Sequence, residues 1–384
     1  MNSGVVFPGG NNTADDFRYM SMALRLAEKG MYTTDPNPRV GCVVVKNNKI
    51  IGEGWHERAG EPHAEVHALR QAGKAAERST VYVSLEPCSH HGKTPPCADA
   101  LIQAKVSRVV IAMQDPNPLV AGEGLRKLAA AGIQVDSGVL QQQAEALNPG
   151  FIKRMRQQRP YVRCKLAMSV DGRTALANGE SQWITAPEAR RDVHHWRARS
   201  SAMLTGINTV LADNPSLNAR LESAVDSDGH AQNVEVVQPL RVVVDSQLRM
   251  PLEAKMLALP GTTVIATVNN DTQKIQQLNK LGAEVIVMDQ QAGRVDLAAL
   301  LRQLADKQIN ELMVEAGPIL NGALLQQNLV DELIIYMAPC LLGDSAKGLF
   351  ALPGLDKMTD RIELSINDIR SVGRDWRISA YVRR

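Results

Sequence analysis

The stretch "EPHAEVHALRQAG", Glu61 to Gly73, puts two histidines and a glutamate within five residues, and "LEPCSHHGKTPPC", Leu85 to Cys97, adds two cysteines. Read together they offer His63, Cys88 and Cys97 as three metal donors, with the Glu65 carboxyl beside them. A catalytic zinc takes three protein ligands and leaves its fourth position to water, whose pKa falls towards ~7. One zinc ion per chain is the expectation.

Zinc nucleobase deaminases use a His at a helix start with Glu two residues later, then Pro-Cys, then a second Cys opening another helix; there the Glu carries protons and does not bind metal. Glu65 falls in that role, taking a proton from water and delivering it to the ring nitrogen and the leaving ammonia. The usual spacing is Cys-x2-Cys, whereas the insert "SHHGKTPP" makes it Cys-x8-Cys here. Other readings stand beside this one. His67, one turn after His63, would suit a metalloprotease pair, but there Glu directly follows the first His and here Ala64 does; His67 reads as a helix-face residue. His90 and His91 could complete a closed structural zinc, although such a site has no use for a neighbouring glutamate.

The rest of the chain must position these groups. Its 384 residues, 44% hydrophobic, suit two globular domains. Net charge is +2, from 43 basic and 41 acidic residues, and only 4% of residues are aromatic, so neither a strong field nor a stacking platform for nucleic acid is signalled. No apolar run approaches the roughly 20 residues that span a bilayer, and the N-terminus lacks a signal-peptide pattern. A cytoplasmic protein is expected, without membrane or nucleic-acid partners and as a homo-oligomer. Cys42, Cys164 and Cys340 lie in apolar contexts that read as core.

Residues 1–13 read as loose, and Asp15 or Asp16 as the cap of a helix presenting Met20, Ala23, Leu24 and Ala27. Two β-branched runs around Asn47-Asn48 predict a hairpin. Helices over 63–76, 97–104 and 123–131 then alternate with strands at 80–85, 108–113 and near 134, an α/β pattern with helices on the faces of a mixed sheet. The polar, basic segment from Asn148 to Pro160 reads as a domain boundary, giving domains 1–150 and 160–384. A second alternation follows, with strands at 161–170, 202–206, 240–246, 262–267, 284–289, 311–317, 332–339 and 376–384, and the polar run 222–235 reads as an exposed excursion.

No Gly-x-Gly-x-x-Gly fingerprint opens a helix in this second half. What stands out is "VEAGPILNGALL", a strand, a Gly-Pro turn and an apolar helix, whose backbone N–H groups suit an anion. "DGRTALANGESQWIT" and "LTGINTVLADNPSLNAR" are the other two unusual stretches.

"HAEVHAL", "LEPCSHHGKTPPC" and "MQDPNPLVAGEGL" resemble the deaminase half of the bifunctional deaminase/reductases of riboflavin biosynthesis, a family in which the long insert between the cysteines is usual. The three C-terminal stretches resemble its reductase half, similar in fold to dihydrofolate reductase. The resemblance runs through both halves and is thinnest over 221–235, 250–310 and the first dozen residues. It implies a cytidine-deaminase-like zinc domain followed by a reductase domain that uses NADPH, acting on a phosphorylated pyrimidine. It assigns His63, Cys88 and Cys97 as zinc ligands and Glu65 as the acid/base. Asn37, which spacing alone leaves between a turn residue and a holder of the base edge, becomes a substrate contact. For the dinucleotide it implies Ala167, Trp183, Thr209, Asp213, Ser246 and the turn Gly317, Pro318, Ile319, Leu320, Asn321, Gly322 and Ala323. For the substrate it implies Ser181, Arg197, Leu217, Arg220 and Glu315.

Arg197 and Arg220 are suitable phosphate forks. Arg190, Arg191 and Arg199 on the same charged stretch receive no role. Lys165, among apolar residues in its strand, needs a partner or a ligand and is offered as a substrate contact. Glu315 is a candidate proton donor, beside the reading that it holds ribityl hydroxyls. Two rivals remain at this point: a deaminase of free nucleosides or transfer RNA, and a zinc-stabilised module that senses a dinucleotide without turnover.

Overall fold

The computed structural model describes residues 12–89, 95–221, 224–225, 231–232 and 236–383. The first eleven residues, His90 and His91, and most of the 222–235 excursion lie outside that set. The chain divides into two compact units between Gln158 and Arg159.

The first unit opens with α1, Ala14–Glu28. Its cap is Thr13, not Asp15 or Asp16: the Thr13 hydroxyl accepts from the Asp16 N–H at 3.2 Å, and the Asp16 carboxylate accepts from the Thr13 N–H at 2.9 Å. Asp16 has no solvent exposure and needs partners for its charge, which it finds in Arg108 at 2.7 and 3.1 Å and in the Tyr82 hydroxyl at 2.9 Å.

Strands β1, Gly41–Lys46, and β2, Lys49–Trp55, form the expected hairpin, with Asn47 and Asn48 at φ 51° and 59° as a type I′ turn requires. Then come α2, Ala64–Ala72, β3, Thr80–Leu85, α3, Cys97–Gln103, β4, Arg108–Met113, α4, Glu123–Ala130, β5, Gln134–Ser137, and α5, Gln141–Leu147. The sheet order is β2-β1-β3-β4-β5, antiparallel as far as β3 and parallel from there. Ala64, Ala68, Leu101, Leu125 and Leu128 bury one face of it, and Tyr19, Met20, Ala23 and Ala144 the other. Most of the segment read as the domain boundary folds as α6, Pro149–Gln157, and the division between the units falls just after it. Proline at a first helical turn loses no hydrogen bond, and the Asn148 side chain ties the helix start to Arg39 N and O at 2.8 and 3.0 Å.

The second unit comprises β6, Tyr161–Ser169, α7, Pro187–Ala198, β7, Ala202–Gly206, α8, Ile207–Asp213, β8, Leu240–Val244, β9, Thr263–Thr267, α9, Thr272–Lys280, β10, Ala283–Val287, and α10, Leu297–Asp306. It continues with β11, Glu311–Val314, α11, Pro318–Gln326, β12, Glu332–Ala338, β13, Leu364–Val372, and β14, Asp375–Val382. Their order is β10-β9-β8-β7-β11-β6-β12-β14-β13. The seven strands from β10 to β12 are parallel, and β14 and β13 close the far edge antiparallel. Both faces of the parallel block are covered, which is why its strands read as apolar runs. β13 has no counterpart among the expected strands: it is an edge strand with mostly exposed residues, so no apolar run announces it. Among the described residues, no helix is long and apolar enough to cross a membrane.

Candidate functional site

In the first unit, three chain segments converge. His63 is the residue immediately before α2, Cys88 follows the end of β3, and Cys97 opens α3. His63 Nδ1 lies 3.2 Å from Cys97 Sγ and 3.6 Å from Cys88 Sγ, and the three donor atoms are all within 4.8 Å of one another. A tetrahedral zinc with Zn–S about 2.3 Å and Zn–N about 2.0 Å sets sulfur and nitrogen about 3.5 Å apart, so this donor set fits the metal. Cys88 accepts from the Cys97 N–H at 3.3 Å; that side of the pair titrates low, to about 4, because the Cys97 thiol and His63 stabilise its thiolate, while Cys97 is held high. His67 is not part of the triad.

Glu65 is 3% exposed on the first turn of α2. Burial pushes its carboxyl up to about 7, where it gains and loses a proton near neutrality, as an acid/base must. Gly54 on β2 sets the helix close: a Cβ there would stand 2.3 Å from Ala64 O and 2.7 Å from Ala68 N.

Two residues that sequence reasoning passed over complete this region. His56, buried, directs Nδ1 at Pro62 O (3.2 Å) and Nε2 at Asn37 Nδ2 (3.0 Å), with its ring edge-on to His63 at 5.3 Å. The carbonyl fixes the ring proton on Nδ1, so Nε2 accepts from the amide and the Asn37 Oδ1 keeps its own acceptor capacity. Glu86, two residues before Cys88, accepts from the N–H groups of Asp115, Gly122 and Gly124 at 3.1, 2.9 and 2.9 Å, anchoring the loop "DPNPLVAGEG". A carboxylate in "LEPC" and two glycines some 36 residues on are the only sequence trace of this tie.

In the second unit a cleft of about 990 Å³ opens between β6, the segment before α7, α8 and the turn into α11. Of the residues implied for this half, Lys165, Ala167, Ser181, Trp183, Arg197, Thr209, Asp213, Leu217, Arg220, Glu315, Gly317, Pro318 and Asn321 line it, whereas Ser246, Ile319, Leu320, Gly322 and Ala323 do not. Asn321 is fully buried, donates to Ala316 O at 2.9 Å and leaves its Oδ1 without a partner among the described residues. That orphaned acceptor, with the N-terminus of α11 and the 68% exposed Trp183 indole, fits a dinucleotide that brings amide donors, phosphates and flat rings.

Arg197 meets a competing partner: Nε and Nη2 donate to the two Glu315 oxygens at 2.6 and 2.8 Å, and Nη1 to Asn218 O at 3.2 Å. A phosphate would have to displace Glu315 to take this fork. Burial alone would raise the Glu315 carboxyl, but Arg197 and then Lys165 reverse that and hold it at about 2. Ionised at neutral pH, it accepts hydrogen bonds and has no proton to give. Burial lowers the Lys165 ammonium, opposed by Glu315.

Arg220 is pinned by Asn218 Oδ1 at 2.8 Å and by His194, whose Nε2 lies 3.2 Å from Nη2 and whose Nδ1 lies 3.2 Å from the Arg220 backbone nitrogen. His194, also missed from sequence, lines the cleft and is pushed down to about 4 by burial and by the charges of Arg197 and Arg220. The three arginines left without a role divide: Arg190 lies over the Trp183 ring at 4.5 Å, Arg199 pairs with Glu311 at 3.3 Å, and Arg191 makes an exposed pair with Glu188 at 3.4 Å.

Comparison with known proteins places both units. Residues 13–113 match the cytidine and deoxycytidylate deaminase zinc-binding region, and residues 160–378 match the RibD C-terminal domain. Riboflavin biosynthesis protein RibD of Escherichia coli is 53% identical over 364 residues, covering 94% of this chain and 97% of the relative; that of Haemophilus influenzae is 48% identical over 368 residues, covering 96% and 97%. The structure of Acinetobacter baumannii RibD superposes with a TM-score of 0.87 at 45% identity, covering 96% of this chain and 99% of that one. A Thermotoga maritima structure named as a diaminohydroxyphosphoribosylaminopyrimidine deaminase/5-amino-6-(5-phosphoribosylamino)uracil reductase does so with a TM-score of 0.82 at 31% identity, covering 96% and 98%. With donor triad and cleft in place and relatives matching 94% of the chain, this protein belongs to the RibD family of bifunctional deaminase/reductases.

Proposed function

We propose that the first unit hydrolytically deaminates 2,5-diamino-6-ribosylamino-4(3H)-pyrimidinone 5′-phosphate. The second then reduces the ribosyl side chain to ribityl with NADPH, giving 5-amino-6-ribitylamino-uracil 5′-phosphate in riboflavin biosynthesis. The chain's RibD relatives support this sequence of reactions, and the name of the Thermotoga maritima protein supports the substrates. Residues 1–150 and 160–384 are the corresponding functional domains in this reading.

The observation that carries the deaminase is Glu65, buried on the first turn of α2, two residues from His63 and beside three converging metal donors. His63, Cys88 and Cys97 would hold one zinc ion, whose chemistry is to acidify a water so that it can attack at neutral pH. The Glu65 carboxylate is placed to take one proton from the attacking water and give it to the ring nitrogen, then to carry the added hydroxyl's proton to the amino group, so that C=O forms as the C–N bond breaks and ammonia leaves. Asn37, oriented by His56, offers donor and acceptor to the base edge.

The cleft would hold NADPH, whose chemistry is to supply a hydride to C1 of the ring-opened imine. Gly317 and the start of α11 as far as Ala323, with Trp183, hold the dinucleotide, with Ala167, Thr209, Asp213 and Ser246 along it. Ser181, Leu217 and Arg220 position the substrate, and Arg220 takes its phosphate. Glu315, kept ionised by Arg197, accepts from ribityl hydroxyls. Lys165, half-buried in the same cleft and balanced by Glu315, contacts the substrate.

Cys42, Cys164 and Cys340, outside the metal site and unpaired with one another, accord with a cytoplasmic enzyme. A homo-oligomer is favoured by the apolar side chains exposed on β13 and β14, among them Leu364, Ile366, Ile369 and Trp376.

The test is Glu65→Gln. Ammonia release should fall by at least ~10²-fold with bound zinc and folding unchanged. Full deaminase activity in that variant would refute the assignment of Glu65.

A further inference from the structure

The sheet order gives the cleft a direction. β6, β11, β7 and β8 lie side by side and parallel, so their C-terminal ends open on one edge. Lys165 and Ala167 are on β6, Glu315 follows β11, Asn208 and Thr209 follow β7 on α8, and Ser246 follows β8. Three inter-strand steps separate β6 from β8, about 14 Å at about 4.8 Å each. A long ligand that reacts beside Lys165 and Glu315 therefore brings its far end to the turn after β8. On the cofactor reading above, that far end is the adenosine.

This turn carries a cation. Asp245, fully buried, accepts from the Met250 N–H at 2.8 Å through its carboxylate and from the Leu248 N–H at 3.1 Å through its carbonyl, folding 245–250 back on itself. Arg249 is left exposed on the outside, two residues beyond Gln247 and three beyond Ser246. Its Nη2 donates to Asn208 Oδ1 at 2.8 Å, and Asn208 lines the cleft. The Nε and Nη1 groups make no hydrogen bond among the described residues. Asp213, the acid on the same helix, stands five residues further along α8, about 7.5 Å down its axis.

We propose that Arg249 binds the 2′-phosphate of the cofactor and is the residue that makes NADPH preferred over NADH. A planar guanidinium meets a phosphate through paired charge-assisted hydrogen bonds, and a 2′-hydroxyl gains little from it. The preference is then set by one exposed side chain, held over the adenosine end by the Asn208 amide.

The experiment uses the full-length, zinc-loaded protein and two cofactor fragments, 2′,5′-ADP and 5′-AMP, titrated by calorimetry, alongside NADPH and NADH turnover. In Arg249→Gln the affinity for 2′,5′-ADP should fall roughly tenfold or more, with 5′-AMP affinity and NADH turnover within about twofold of the parent. Arg249→Lys, which keeps the charge and loses the fork, should fall between. Unchanged 2′,5′-ADP binding in Arg249→Gln, or equal losses for both fragments, would overturn the proposal alone. A parent protein that binds neither 2′,5′-ADP nor NADPH would overturn the cofactor reading and this proposal with it.

Discussion

Arg197 grips Glu315 with Nε and Nη2, at 2.6 and 2.8 Å, and each side chain is only about 15% exposed: 15% for the arginine and 14% for the glutamate. The pair joins α7 to the end of β11 across the cleft. It lowers the Glu315 carboxyl from an ordinary 4.5 to about 2, so the folded state releases that proton more readily than the unfolded chain. The stabilisation is therefore complete above pH 4.5 and disappears as pH falls through 2. Acid unfolding followed by circular dichroism should show Glu315→Gln losing less stability than the parent between those values. Parallel acid curves would mean that the pair contributes nothing of the kind.

Gly54 sets the height of the helix that carries Glu65. Because a methyl group there would stand 2.3 Å from Ala64 O, Gly54→Ala must push α2 away from β2. We expect a loss of about 1–3 kcal/mol in denaturant unfolding, together with weaker zinc retention in a chelator competition. A variant that retains zinc like the parent would show that the helix start does not depend on this contact.

Zinc removal should separate the two sites. Treatment with a strong chelator is expected to abolish ammonia release and lower the melting temperature of the first unit, while NADPH oxidation on already deaminated substrate continues. Simultaneous loss of both activities would speak against independent centres.

His194 positions Arg220 and touches the reaction only through it. Replacing it with Leu leaves the guanidinium to Asn218 alone, and the reductase KM should rise roughly tenfold with kcat little changed. His194→Gln, whose carbonyl oxygen restores an acceptor, should recover most of that loss. A misfolded cleft would instead lower kcat in both variants.

Much of this was legible in the chain because chemistry leaves composition behind. His63, Cys88 and Cys97 announce themselves by donor type, and the parallel strands by unbroken apolar runs that both buried faces demand. The hairpin at Asn47-Asn48 was equally plain. What escaped was context. β13 is an edge strand without an apolar run, and α6 hid in a polar segment because its start is stabilised by Asn148 against Arg39, more than a hundred residues away. His56, Glu86 and His194 act through hydrogen bonds to partners 19 to 38 residues away, which no local pattern encodes. The Arg197 fork was recognisable as a type, but its partner was not.

Glu86 holds the 115–124 loop through three main-chain amides, and the tie itself constrains only Gly122, at φ 79°, and Gly124, where a Cβ would stand 2.1 Å from Pro87 O. The loop can therefore exchange its outward residues freely while its path beside Cys88 stays fixed. Substitutions on the outward side of this stretch should leave the metal centre beside it intact, which marks it as the segment of the first unit most open to change in sequence without loss of the site.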